Sequence, residues 1–131
     1  MSVTVGTKGV AEVEVCNENC ADAMGSGELR VFATPAMCAL IEEAAWKAIA
    51  PQLGAGESTV GTKLEISHVS ATPVGMKVRA EAEVTELDGR RIVFDVKVYD
   101  EAGLIGTGVH ERFVVNAEKF SARTQSKLVS Q

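Results

Sequence analysis

Apolar positions are most regular across Thr34–Ala50, TPAMCALIEEAAWKAIA, where Met37, Leu40, Ile41, Ala44, Ala45, Ala48 and Ile49 recur at the spacing of one helix face. Thr34 suits the N-cap of such a helix, Pro35 its first position, and Pro51 ends the pattern. Five alanines between Ala36 and Ala48 make the face small-sided, so a sheet can approach this helix closely. On either side the period falls to two. Gly9–Cys16 predicts a strand with Ala11, Val13 and Val15 on one face. After a Gly-punctuated turn over Gln52–Thr59, the residues Val60, Thr62, Leu64, Ile66 and His68 alternate with Gly61, Lys63, Glu65 and Ser67. Pro73 and Gly75 break the chain. Met76, Val78, Ala80, Ala82 and Val84 then lead to the hairpin signal Asp88-Gly89, and Ile92, Phe94, Val96 and Val98 follow it. The last strand, Ile105–Val115, reads with Ile105, Thr107, Val109, Glu111, Phe113 and Val115 on one face. Asn17–Arg30 predicts a surface loop, and Ser121–Gln131 a polar tail that frays.

The order is one strand, one long helix, then four strands joined by short turns, which make neighbours antiparallel. Each strand has a single apolar face and one long helix is available to cover it. The expectation is an α+β chain, residues 1–131 as one domain, with an antiparallel sheet wrapped around a central helix. Uncovered sheet edges predict pairing of two copies.

Composition narrows the function. The 131 residues are 46% hydrophobic, enough for one core, and carry a net charge of −5 with the signs mixed. That excludes nucleic acid and an anionic membrane as main partners. No apolar run approaches the ~20 residues that span a bilayer. Met1–Val10 lacks the charged-then-apolar shape of a secretory leader, so a cytoplasmic protein is expected. Cys16, Cys20 and Cys38 make an odd count. Cys16-x3-Cys20 lacks nearby histidines to complete a metal site, and free thiols are expected.

The chemistry-bearing residues are few. His68 ends a strand face that should cover the helix, so it is either a core-edge histidine bonded to a backbone carbonyl or a general base. Glu42 lies at the border of the apolar stripe on that helix, where a carboxylate needs a partner, and His68 is the partner expected. Thr34 is a cap or a hydroxyl that binds or attacks an acyl carbon. Eight residues of ideal helix hold Thr34 and Glu42 ~12 Å apart, so they share a site only if the chain bends back or two subunits contribute. Gly61 is a flexible residue or a place where a backbone N–H approaches a substrate carbonyl. His110-Glu111-Arg112 reads as a solvated or interface cluster.

Three separated segments, VFATPAMCALIEEA, VGTKLEISHVSATPVG and IGTGVHERFVVNAEKF, resemble the fluoroacetyl-CoA thioesterase branch of the hotdog proteins, with unbroken spacing from Val31 to Phe120. The resemblance implies a hotdog fold and hydrolysis of acyl-CoA thioesters. It implies catalytic roles for Thr34, Glu42 and His68, and Gly61 close to the thioester, with Phe32 retained near the acyl group. It further implies a homodimer, or a dimer of dimers, with active sites at the subunit interface. No metal or bound cofactor is expected, CoA entering as part of the substrate. Before Val31 the resemblance weakens: the fluoroacetate-specific member has an aromatic lid, whereas Ala23–Gly27 here is AMGSG, too small-sided for one. The implication is thus thioester hydrolysis rather than fluoroacetate selectivity. Two other functions fit the same layout. A hydratase or dehydratase would pair an Asp with His68, for which Asp95 and Asp100 are the nearest candidates; a non-catalytic acyl-CoA-binding module would keep the pocket alone.

Overall fold

Strands β1 (Lys8–Glu14), β2 (Glu57–His68), β3 (Lys77–Asp88), β4 (Arg91–Asp100) and β5 (Gly103–Asn116) form one antiparallel sheet in the order β1-β3-β4-β5-β2. The structure is a computed structural model and describes residues 2–129. A short helix α1 (Ala21–Met24) follows β1, and the long helix α2 (Thr34–Ile49) packs on one face of the sheet. Met37, Leu40, Ile41, Ala44, Ala45 and Ile49 of α2 are buried against Val78, Ala80, Ala82 and Val84 of β3 and Ile92, Phe94, Val96 and Val98 of β4. This is the sheet wrapped around one helix that the alternating pattern predicts, and the hotdog arrangement that the resemblance implies. The small helix face has its use at Gly9, where any Cβ would collide with the Ala44 carbonyl and the Ala48 side chain.

Besides a bulge at Thr85 in the β3–β4 ladder, two β-bulges decide which side chains of β2 and β5 face the helix. In the β2–β5 ladder Gly61 pairs with Arg112 and Lys63 with Glu111, leaving Thr62 as the extra residue. In the β4–β5 ladder Val98 pairs with Gly106 and Tyr99 with Leu104, leaving Ile105 as the extra residue. Each extra residue moves the alternation by one and turns the following side chains to the other face. The expected faces are corrected accordingly. In β5 the inward positions after the bulge are Gly106, Gly108, His110, Arg112 and Val114, whereas Val109 and Phe113 are exposed. In β2 Thr59 and Gly61 join Leu64, Ile66 and His68 on the inner face, and Val60 and Thr62 do not.

The segment expected as a plain loop has structure of its own. Cys16 caps a 3₁₀ turn over Asn17–Asn19, α1 follows, and Cys20 pairs with Phe32 in an isolated bridge. The Phe32 N–H donates to the Thr72 carbonyl at 2.9 Å, and Phe32 is buried. At the other end, Ala117–Val129 forms a helix, α3, where the tail was expected to fray. None of its residues is buried. Residues 130 and 131 of that expected tail lie outside the described residues.

Candidate active site

Thr34 opens α2, but it is not the cap. Ala33 occupies the N-cap position with an extended backbone, so Thr34 is the first helical residue and its hydroxyl is released from capping. Thr34 Oγ1 instead lies 2.8 Å from His68 Nδ1. His68, the last residue of β2, points inward opposite Gly106. A side chain at Gly106 would press on Met37, 2.8 Å from its sulfur, so the glycine keeps this corner open. His68 Nε2 is buried and has no well-formed hydrogen bond among the described residues. Burial holds the imidazole below the ordinary histidine range, and the Ser70 backbone opposes this only in part. A neutral imidazole against a hydroxyl is suited to receive a proton. An open cleft of about 280 Å³ lies beside the pair, with Phe32, Val69 and Ala71 in its walls.

The second group lies further along the same helix. Glu42, 46% exposed, faces Arg112 at 3.7 Å. Arg112 is almost fully buried: its Nε donates to Thr59 Oγ1 at 2.9 Å and its Nη2 to the Thr59 carbonyl at 3.1 Å. Its Nη1 lies 3.2 Å from His110 Nε2. His110 Nδ1 is 2.8 Å from the Lys63 carbonyl. A carbonyl only accepts, so Nδ1 carries the proton and Nε2 is left to accept from the guanidinium. Phe94 stacks on the ring at 5.9 Å. Burial, with the adjacent Arg112, holds His110 below its ordinary value, against the hydrogen bond to the Lys63 carbonyl. Gly61 completes the group, for a Cβ there would stand 2.7 Å from Glu42 Oε2 and 3.3 Å from both Arg112 Nη1 and His110 Cε1.

The residues singled out in the sequence thus form two clusters within one protomer, Thr34 with His68 and Glu42 with Gly61. Glu42 takes Arg112 as its charge partner rather than the expected His68. The helix is uninterrupted from Thr34 to Ile49, so Thr34 and Glu42 stand eight helical residues, ~12 Å, apart along it. His110 and Arg112, read as solvated, are buried at 1% and 6% exposure, because the bulge at Ile105 turns them inward. A signal was present: Gly106 and Gly108 share their parity, and side chains that small in a strand mark a face pressed against something. Phe32 is 1% exposed and forms a wall between the Thr34 cleft and an apolar cavity bounded by Val13, Met24 and Leu40. Asp100 is engaged by the Thr72 hydroxyl at 2.8 Å, and Asp95 lies on the opposite face of the sheet, so neither pairs with His68.

A profile of the fluoroacetyl-CoA-specific thioesterase family matches residues 15–118, a span holding both clusters. The chain belongs to this thioesterase family. The fluoroacetyl-CoA thioesterase of Streptantibioticus cattleyicolor is 42% identical over 97 residues, covering 74% of this chain and 70% of that enzyme. A variant of a fluoroacetyl-CoA-specific thioesterase, solved with fluoroacetate and CoA, superimposes with a TM-score of 0.85 at 34% identity, over 90% of this chain and 99% of that one. A thioesterase superfamily member from Thermus thermophilus gives 0.89 at 30% identity over 98% of each chain. As a member of this family the protein is a hotdog thioester hydrolase.

Further features bear on that chemistry. All three cysteines are free, and the buried Cys20 thiol donates to the Cys16 carbonyl at 3.2 Å. Among the described residues no group of three or more His, Cys, Asp or Glu side chains is placed to hold a metal ion. No helix among them is long and apolar enough to cross a membrane.

Proposed function

We propose that the protein hydrolyses small acyl-CoA thioesters at a site completed by two copies of the chain. Thr34 and His68 come from one copy; Glu42, Gly61 and Arg112 come from the other. The observation that carries this reading is the split itself: two pre-organised clusters along one uninterrupted helix, each supplying half of what thioester hydrolysis requires. The sheet order supports it, because β2 is an edge strand twelve residues long with one side unpaired. Two such edges pairing antiparallel about a point between Leu64 and Glu65 would set Gly61 of one copy opposite His68 of the other.

A thioester releases a thiolate readily, so departure of CoA needs little acid catalysis. The demanding step is addition of oxygen to the carbonyl carbon. In the proposed site Glu42 attacks that carbon or removes a proton from water that does. Thr34 and His68 move the proton, and the Gly61 N–H receives the developing oxyanion. Water is consumed; a carboxylate, CoA and a proton are produced. Side chains and water suffice, with no metal or separate cofactor, and we place the reaction in the cytoplasm, where acyl-CoA is made and used. Phe32 walls one side of the Thr34 cleft, and the fluoroacetyl group of the relatives favours a short acyl chain.

Purified protein assayed with acyl-CoAs of increasing chain length and a thiol indicator should release CoA, fastest from the shortest. Binding without release would overturn the catalytic reading. Sedimentation at micromolar concentration should give about twice 13.8 kDa, or a multiple, and an active monomer would overturn the shared site.

A further inference from the structure

We propose that His110 is a positioning residue of the Glu42 half-site: as a neutral Nδ1–H ring it offers a lone pair that fixes Arg112 against Glu42. This inference rests on the reading of Glu42 as the reacting carboxylate. A buried guanidinium has five N–H donors and needs acceptors in fixed directions. Thr59 satisfies one edge through its hydroxyl and its carbonyl. The remaining nitrogen, Nη1, faces both His110 Nε2 at 3.2 Å and Glu42 Oε2 at 3.7 Å. Among the described residues, without an acceptor at His110, Nη1 is left to a half-exposed carboxylate at 3.7 Å, for which Nη1 is in turn the charge partner.

The ring is itself immobile. The Lys63 carbonyl holds Nδ1, beside the bulge at Thr62, and Phe94 of β4 stacks on one side. Protonation would remove the lone pair and set a second cation 3.2 Å from Arg112. The charged groups that act on the ring are Arg112 and Glu111 from β5 and Glu42 from α2; β2 contributes the Lys63 carbonyl. Burial, the largest influence, and Arg112 oppose the cation, while the Lys63 carbonyl and the two carboxylates favour it. Acid therefore disassembles the half-site at a ring that never touches substrate.

Two variants and one spectrum test this. His110→Gln can present an oxygen to Arg112 but does not titrate; His110→Phe keeps the stacking and loses both hydrogen bonds. With the fastest acyl-CoA of the panel, His110→Phe should lose ~10²-fold in kcat with KM little changed, and His110→Gln should recover part of that loss. The acid limb of kcat/KM should be less steep by one proton in His110→Gln than in the wild type, the groups other than His110 contributing equally to both. A wild-type kcat in folded His110→Phe, or an acid limb of unchanged steepness in His110→Gln, would overturn the proposal. Imidazole ¹⁵N shifts of the wild-type protein at neutral pH should show His110 protonated on Nδ1 alone. An Nε2–H ring would overturn the proposal even if both variants misfold. If the wild type releases CoA from no thioester, the functional reading fails by itself, while the ¹⁵N result still decides the state of the ring.

Discussion

Glu42 and Thr34 sit on one helix, yet their loss should register differently. Glu42→Gln keeps shape and removes charge, so it should lower kcat by ~10²–10⁴ while the protein melts almost as before. A Glu42→Gln enzyme with near-normal kcat would remove the carboxylate from the mechanism. Thr34 is not a cap, so the stability lost in Thr34→Ala should be only that of one hydrogen bond to His68, ~0.5–1.5 kcal/mol. Its rate should fall far beyond that, and Thr34→Ser should recover part of it. His68→Ala belongs with Glu42→Gln in magnitude. Gly61→Ala would push a methyl group into Glu42 and the guanidinium, and should cost rate at nearly unchanged CoA affinity. Legibility at this scale was uneven. Residue type is enough to single out Thr34, Glu42, His68 and Gly61 as candidates, but Arg112 reads as part of a solvated or interface cluster because its burial depends on one extra residue seven positions earlier, at Ile105.

Elements follow from local pattern wherever the pattern is uninterrupted. The helix over Thr34–Ile49 and the strands after Gly75 fall where periodicity places them, because each buries one face against the other. The alanine-rich helix face predicts a close approach, and the price of it is testable at Gly9. There the obstructing atoms include the Ala44 backbone, which cannot swing aside, so Gly9→Val should destabilise by ~1–3 kcal/mol in urea titration. A stability within error of wild type would mean that β1 can lift off the helix. The segment around α1 and the final helix α3 escaped notice for a different reason. Both are short in apolar residues, so their composition reads as loop, and the backbone pairing of Cys20 with Phe32 is a long-range fact.

At the scale of the whole molecule, pH and subunit mixing separate the ideas. Burial holds both His68 and His110 below their ordinary value of 6.5, so the unfolded chain takes up protons there and the folded one resists. Stability is then fully present above pH 6.5 and falls as the pH drops toward the folded-state values, before most carboxylates titrate. The urea midpoint should decline from pH ~8 to ~5.5 and decline less in His110→Gln; a flat midpoint would contradict the buried, neutral rings. If two copies share each site, mixing inactive Thr34→Ala with inactive Glu42→Gln and allowing exchange should regain about a quarter of wild-type activity, since half the dimers are mixed and each has one intact site. Failure to regain any activity after proven exchange would place Thr34 and Glu42 in one protomer.

The amino-acid sequence by itself determined the helix and the antiparallel strands, through a periodicity that neighbours in the chain enforce, and four of the candidate residues, through residue type. The hotdog class and the thioesterase family came from the resemblance of three separated segments to known members. Only the tertiary structure decided what faces what. Two bulges, each a single unpaired residue, move Gly61, His110 and Arg112 to the helix side, and eight residues of uninterrupted helix separate Thr34, with its partner His68, from Glu42. A register shift costs little locally and leaves little mark on composition, yet it reverses every side chain beyond it.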